Sequence, residues 1–460
     1  MPTNMNNLLL KTDSYKVSHW KQYPKGTTHV FSFFESRGGR FPTTTFFGLQ
    51  YFLKRYLAGQ VVTEANIEEA KEIFAKHLGP ELFNEDGWRH ILRQHGGRLP
   101  VIIKAVPEGT TVPVSNVLMT IENTDPKVPW LTNYLETLLS EIWYPTTVCT
   151  QSRAMKAVIR KALEKTGDPN LIDFKLHDFG FRGSTSPESA GIGGTAHLVN
   201  FKGTDTMEAL LFARNYYGED MAGFSIPAAE HSTITSWGRE HEADAYANML
   251  EAFPKGLVAV VSDSYNIYEA CREIWGKELW QKVMERDGTL IIRPDSGHPP
   301  TVVVEVLNIL GEAFGFKENE KGFKVLHPNV RVIQGDGIDY IMLEEILNAM
   351  TKAGWSADNI AFGSGGGLLQ KVDRDTQKFA FKCSAVCING LWQDVMKDPV
   401  TDHGKKSKAG RLKLTERDGN LVTIREEEWP KQNLLVPVFA NGELLLDQSF
   451  ADIRTRAEMS

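Results

Sequence analysis

The stretch Gly256–Gly297, GLVAVVSDSYNIYEACREIWGKELWQKVMERDGTLIIRPDSG, decides the fold. An apolar, β-branched run (GLVAVV) stops at the polar SDSY. A segment follows whose apolar residues recur every three to four positions, and then a second apolar run (GTLII) stops at RPDSG. Strand, helix, strand is the unit from which parallel sheets are made. The same phrase recurs on both sides. KLHDFGFRG (175–183), AHLVNFKGTDT (196–206), AGFSIPAAEHST (222–233), VRVIQGDG (330–337) and NIAFGSGGG (359–367) are apolar runs that break into polar or glycine residues. Helical patterns follow most of them, at 206–218, 236–253 and 339–354. Polar marks fall at Asp178, Asp205, His231, Asp263, Asp295, Asp336 and Ser364, spaced roughly as βα units are. Seven such units predict a (β/α) barrel spanning 171–390, its reactive groups gathered at the C-terminal strand ends. An open parallel sheet with similar strand ends is the alternative.

Outside this region the pattern changes. Residues 1–60 mix short strands with aromatics, 64–95 look helical, and PVIIKAVPEGTTVPVSNVLMTIENT (100–124) is β-rich and punctuated by Pro and Gly. Two helical segments follow, 130–144 and 152–167, and GRLKLTERDGNLVTI (410–424) reads as a hairpin around Asp418-Gly419. Residues 1–170 and 391–460 are therefore expected to build one discontinuous α+β domain.

At 460 residues with a formal net charge of -7, the chain offers no general electrostatic reason to bind nucleic acid. No run of about 18 apolar residues suggests a membrane span. The opening MPTNMNNLLLKTDSYK lacks a basic segment and a long apolar core, so a cytoplasmic protein is expected. Four cysteines, two of them in FKCSAVCING without CxxC spacing or a flanking histidine, read as small hydrophobes. No protein-held metal site is expected.

The strand ends carry the chemistry. Arg293 and Asp295, two apart on an extended segment, face the same side and suit a sugar phosphate: carboxylate to vicinal hydroxyls, guanidinium to an anion. A strand-end ion pair is the plainer reading. The glycine turns QGDGI and FGSGGGLL precede helical segments, where free backbone N–H groups hold phosphate. Arg374, Lys382, Lys397 and the loop GKKSKAGR (404–411) concentrate positive charge in an otherwise acidic chain. A pyrophosphate would need such cations, with Mg²⁺ bridging its oxygens. Phe179 and Tyr15 are candidates for stacking on a flat ring.

TDSYKVSHWKQYP, HDFGFRG, FKGTDT, PAAEHST, SDSY, IIRPDSG, VIQGDG and FGSGGGLLQK, in this order, resemble the nicotinate/nicotinamide phosphoribosyltransferase family, of type II fold, over nearly the whole chain. The resemblance implies transfer of phosphoribose from phosphoribosyl pyrophosphate to nicotinamide, giving nicotinamide mononucleotide and pyrophosphate in NAD salvage. It also implies Mg²⁺, a homodimer with shared sites, and ATP hydrolysis coupled through a phosphohistidine. Carried over by motif, Phe179 and the other subunit's Tyr15 stack on the base, with Asp13 beside them. Asp205 accepts the carboxamide N–H, and Arg293 sits near the amide oxygen and the pyrophosphate. Asp295 takes the ribose hydroxyls, while Gly335, Asp336, Gly366 and Arg374 surround the sugar and its 5′-phosphate. Arg182 and His231 face the pyrophosphate, and Lys382, Lys397 and Lys405 match basic phosphate positions. The catalytic set is thus His231, Arg293 and Asp295.

Two residues depart from the family pattern. Asn266 stands where an aspartate beside the reactive histidine is expected, which removes a charge that would offset an imidazolium. Ala380 stands where a serine is expected ahead of Lys382. Among alternatives, a nicotinate-specific enzyme would need a cation where Asp205 sits. A metal-dependent barrel hydrolase would need converging ligands, yet no HxH pattern occurs and REHEAD (239–244) follows its strand as helix. A secreted binding protein would not need so complete a polar pocket.

Overall fold

The computed structural model describes residues 5–401, 407–428 and 432–459. It divides into two compact units, the first made of Met1–Thr150, Tyr216–Gly218 and Asp373–Ser460, the second of Gln151–Asn215 and Glu219–Val372. Among the described residues, no helix is long and apolar enough to cross a membrane.

The first unit is built on a seven-stranded antiparallel sheet. Its strands run in the order Leu391–Asp394, Phe379–Ile388, Thr27–Ser36, Val117–Asn123, Val101–Ala105, Val436–Ala440 and Glu443–Leu444. Phe33 and Phe34 are buried on the strand Thr27–Ser36, and Trp88, Trp130 and Tyr134 pack edge to face with ring centroids 4.9–5.7 Å apart. The expected hairpin is present: Leu412–Arg417 pairs with Asn420–Arg425, and Asp418 and Gly419 both take positive φ, +53° and +77°, as a tight two-residue turn requires. None of the four cysteines forms a disulfide.

One expected boundary moves. The strand Phe379–Ile388, assigned from sequence to the barrel, pairs antiparallel with Thr27–Ser36 and belongs to the first unit. An apolar run shows that it is a strand but not which distant strand will take its hydrogen bonds. The other boundary also shifts, because Trp143–Thr166 is one continuous helix and the second unit takes it from Gln151 onward.

The second unit holds six parallel strands: Leu176–Asp178 (β1), Gly203–Thr204 (β2), Lys255–Val261 (β3), Asp287–Arg293 (β4), Val330–Gln334 (β5) and Ile360–Ser364 (β6). Their order is β2-β1-β6-β5-β4-β3. The two edges meet on the segment 224–229. Phe224 bridges to Gly203 of β2 and Ala228 to Ala259 of β3, both parallel. Phe224 N–H donates to Lys202 O at 2.8 Å, and Ala229 N–H to Ala259 O at 2.9 Å. The sheet therefore curls into a barrel of six strands, with an irregular seventh piece in the place of the third predicted repeat, 222–233.

Strand alternation sorts the side chains. On β4, Thr289, Ile291 and Arg293 line the barrel's interior, while Leu290 and Ile292 are fully buried on the other face. Ala259, Ile291 and Ile333 form an inner layer with Phe179, Ile226 and Ala361 packed against it. Small Ala259 and Ala361 leave this layer incomplete, and a cavity of about 700 Å³ runs from Leu171, Phe174 and Leu257 at the strand starts to Phe179, Asp205 and Arg293 at the strand ends. The outer helices include Pro299–Phe314, which buries Val303, Val306, Leu307 and Leu310, and Tyr340–Lys352, capped by Asp339. The helix expected over 236–253 begins only at Glu242, because Gly238 takes a left-handed φ of +86°.

Candidate active site

Each barrel strand delivers its polar residue at its C-terminal end, and backbone bonds fix the ends against one another. Phe179 N–H donates to Ser364 O, Asp205 N–H to Asp178 O, and Ser262 N–H to Arg293 O, at 2.9–3.0 Å. Asp178 is fully buried below this rim and accepts Gly180 N–H at 2.7 Å, which shapes the turn that presents Phe179. Burial pushes its carboxyl up to about 6.

Gly335 marks where the groups converge. A Cβ there would lie 3.2 Å from Asp295 Oδ1 and 3.6 Å from both Arg293 Cδ and Phe179 Cε2. Gly363 of β6 makes room for the Phe179 ring, since a Cβ at that position would come within 1.9 Å of its Cε2. Arg293 Nη2 lies 3.7 Å from Asp295 Oδ2, and its buried Nε has no hydrogen-bond partner. The Asp295 carboxyl is raised first by burial and then by Asp263 and Asp336, with Arg293 and His231 opposing. Asp205 accepts a hydrogen bond from Ser225 Oγ on the closing segment. The turn of Arg182 reaches the glycine loop after β6: a Cβ at Gly183 would lie 3.4 Å from Gly366 N.

His231 follows the closing segment and is half exposed at the rim. Its Nε2 lies 3.6 Å from Asp263 Oδ1 and 3.7 Å from Asp295 Oδ2, and its Nδ1 3.4 Å from Ser264 Oγ. Asn266 is not the group beside the imidazole. Its side chain accepts the N–H groups of Tyr268 and Glu269 and so caps the helical run that starts at Ile267. The neighbouring carboxylates are Asp263 and Asp295, so the charge thought missing at position 266 is supplied from position 263. Asp263 stood in the sequence as one more strand-end mark, which was the signal for its role.

The other residues expected from the sequence lie in the first unit. Tyr15 is exposed, its ring edge-on to His19 at 5.1 Å, and Asp13 accepts from Thr137 Oγ1 at 2.8 Å. Arg374, Lys382 and Lys397 line a second cavity, about 670 Å³, together with Arg37 and Lys378. Ala380 lines it too, so the departure there bears on this cavity. Burial chiefly lowers the Lys382 ammonium; Glu136 opposes, and Arg37, Lys397 and Arg374 lower it further. Arg37 and Lys378 had no sequence signal, because the cavity forms only when distant strands pair. Lys405 lies outside the described residues.

Residues 174–443 match the nicotinate phosphoribosyltransferase (NAPRTase) family, and residues 7–103 match the nicotinamide phosphoribosyltransferase N-terminal domain. The chain is 54% identical to nicotinamide phosphoribosyltransferase of Xanthomonas campestris pv. campestris over 465 residues, which cover 99% of this chain and 98% of that one. It is 32% identical to the enzyme of that name from Acinetobacter baylyi, with 98% and 97% covered. The crystal structure of human nicotinic acid phosphoribosyltransferase superposes with a TM-score of 0.61 at 16% identity over 98% of this chain and 93% of that one, a likeness of fold. The chain therefore belongs to the nicotinate phosphoribosyltransferase family and, within it, to the nicotinamide phosphoribosyltransferases.

Proposed function

We propose that this phosphoribosyltransferase holds nicotinamide between Phe179 and the partner subunit's Tyr15, and joins its ring nitrogen to C1 of phosphoribosyl pyrophosphate at the barrel rim. The observation that carries the reading is that Phe179, Asp205 and Arg293 line one cavity: a flat ring face, a carboxylate and a guanidinium. Asp205 accepts the amide N–H and Arg293 donates to the amide oxygen; a nicotinate carboxylate would meet repulsion at Asp205. The pyridine nitrogen is already a nucleophile, so no general base is required. The enzyme's work is to align it with C1 and to stabilise the departing pyrophosphate against an oxocarbenium-like sugar. Asp295 holds the ribose hydroxyls, with Gly335, Asp336 and Gly366 around the sugar phosphate. Arg182, Arg374, Lys382, Lys397 and Lys405 supply cations to the phosphates.

Asp263 Oδ1 is buried without a hydrogen-bond partner, a donor suited to Mg²⁺ arriving with the substrate phosphates. Bound there, the ion would neutralise charge on the leaving group. ATP enters through His231, whose imidazole attacks the γ-phosphorus as the bond to ADP breaks. Asp263 and Asp295 offset the positive charge that develops on the ring. Hydrolysis of the phosphohistidine then drives transfer toward mononucleotide. A cytoplasmic setting, where donor and ATP are made, suits this chemistry.

The test is one incubation with donor, Mg²⁺, ATP and either nicotinamide or nicotinate, read by product mass and by phosphoryl mapping under conditions that preserve phosphohistidine. Mononucleotide from nicotinamide, a preference narrowed in Asp205→Asn, and label on His231 are expected. Equal use of both bases overturns the role of Asp205, and label on another residue overturns that of His231.

A further inference from the structure

His90, His95 and Asp125 gather in the first unit, on elements that contribute none of the residues expected at the candidate active site. His90 Nε2 and His95 Nε2 each lie 2.7 Å from the same atom, Asp125 Oδ2, with the two imidazoles 5.9 Å apart and inclined at 70°. We propose that these three side chains bind one divalent transition-metal ion of the zinc class, clamping the end of the helix Glu85–His95 to the turn after the strand Val117–Asn123.

Each ligand is set by its own local structure. Residues five apart on an ideal helix point about 140° away from each other. His90 and His95 nevertheless reach one atom, Asp125 Oδ2, with His95 closing the helix ahead of left-handed Gly96, φ +59°. The carboxylate is held independently. Lys127 N–H donates to Asp125 Oδ1 at 2.8 Å and Asn123 Nδ2 to Asp125 O at 2.8 Å, which leaves Oδ2 to the histidines. The side chains are 19%, 29% and 13% exposed, so water can complete the coordination without unfolding anything. Two imidazoles and one carboxylate favour zinc, cobalt or nickel over magnesium or calcium, which prefer all-oxygen sites. The competing arrangement is a metal-free triad in which both Nε2–H groups donate to Oδ2. It needs the opposite tautomers, so the two are chemically distinct.

The chelator-treated full-length protein is titrated with Co²⁺ alone. One ion per chain with ligand-field absorption in the visible, displacement by Zn²⁺ and a higher unfolding temperature are expected. The His90→Gln/His95→Gln double variant should lose this absorption and keep its transfer activity. In His95→Gln alone the amide still donates to Asp125, so the fold is preserved while Co²⁺ affinity falls by at least about tenfold, since losing even a ligand's hydrogen-bond partner costs about that much. Absence of stoichiometric Co²⁺ uptake, or the same absorption in the double variant, overturns the proposal in favour of the hydrogen-bonded triad.

Discussion

Asp178 shows how a single residue sets the site without touching a substrate. It lies at the end of β1, fully buried, and shapes the turn ahead of Phe179 through Gly180 N–H. Its native carboxyl keeps a proton up to a pH of about 6, whereas an unfolded aspartate loses it near 4. Folding therefore takes up a proton between about pH 4 and 6, and stability falls as pH rises through that window. The penalty is complete above the folded value and absent below the unfolded one. Asp178→Asn, whose amide oxygen still accepts from Gly180, should flatten this fall when urea midpoints are compared across the range. Glu108, also raised to about 6 by burial, is present in both proteins and cancels in the comparison. An unchanged slope would assign the pH dependence elsewhere.

At the level of elements, the strand ends and the turns carry their instructions locally, and these were legible. The hairpin at Asp418-Gly419 follows from two residues that tolerate positive φ, and every barrel strand announces its end by breaking into polar or glycine residues. The contributions of Arg37, Lys378 and the strand Phe379–Ile388 were not legible, because they depend on which distant strand accepts which hydrogen bonds. The histidine's partner was misread for a related reason: a carboxylate was sought at position 266, but that side chain is committed to capping a helix. Gly363 illustrates a local requirement imposed by a neighbouring strand end. In Gly363→Ala the new methyl must displace the Phe179 ring, which should lower stability by about 1–3 kcal/mol and raise KM for nicotinamide. Steady-state kinetics beside a denaturation curve separates the two effects. A loss of stability with KM unmoved would remove Phe179 as the base platform.

For the whole molecule, the proposed dimer makes a sharp demand. If Tyr15 serves the pocket of the other subunit, Tyr15→Ala and Asp295→Ala chains, each inactive alone, should regain one intact pocket per mixed dimer after subunit exchange. Mixed material as inactive as its parents would confine each pocket to a single chain. The barrel's closure has a consequence of its own. β3 and β4 share a ladder seven residues long, whereas the segment 224–229 holds each edge of the barrel by a single bridge. A hoop springs first where it is held least. That clasp carries Ser225, which steadies Asp205, and leads directly into His231. On warming, the enzyme should forget its substrate before it forgets its shape.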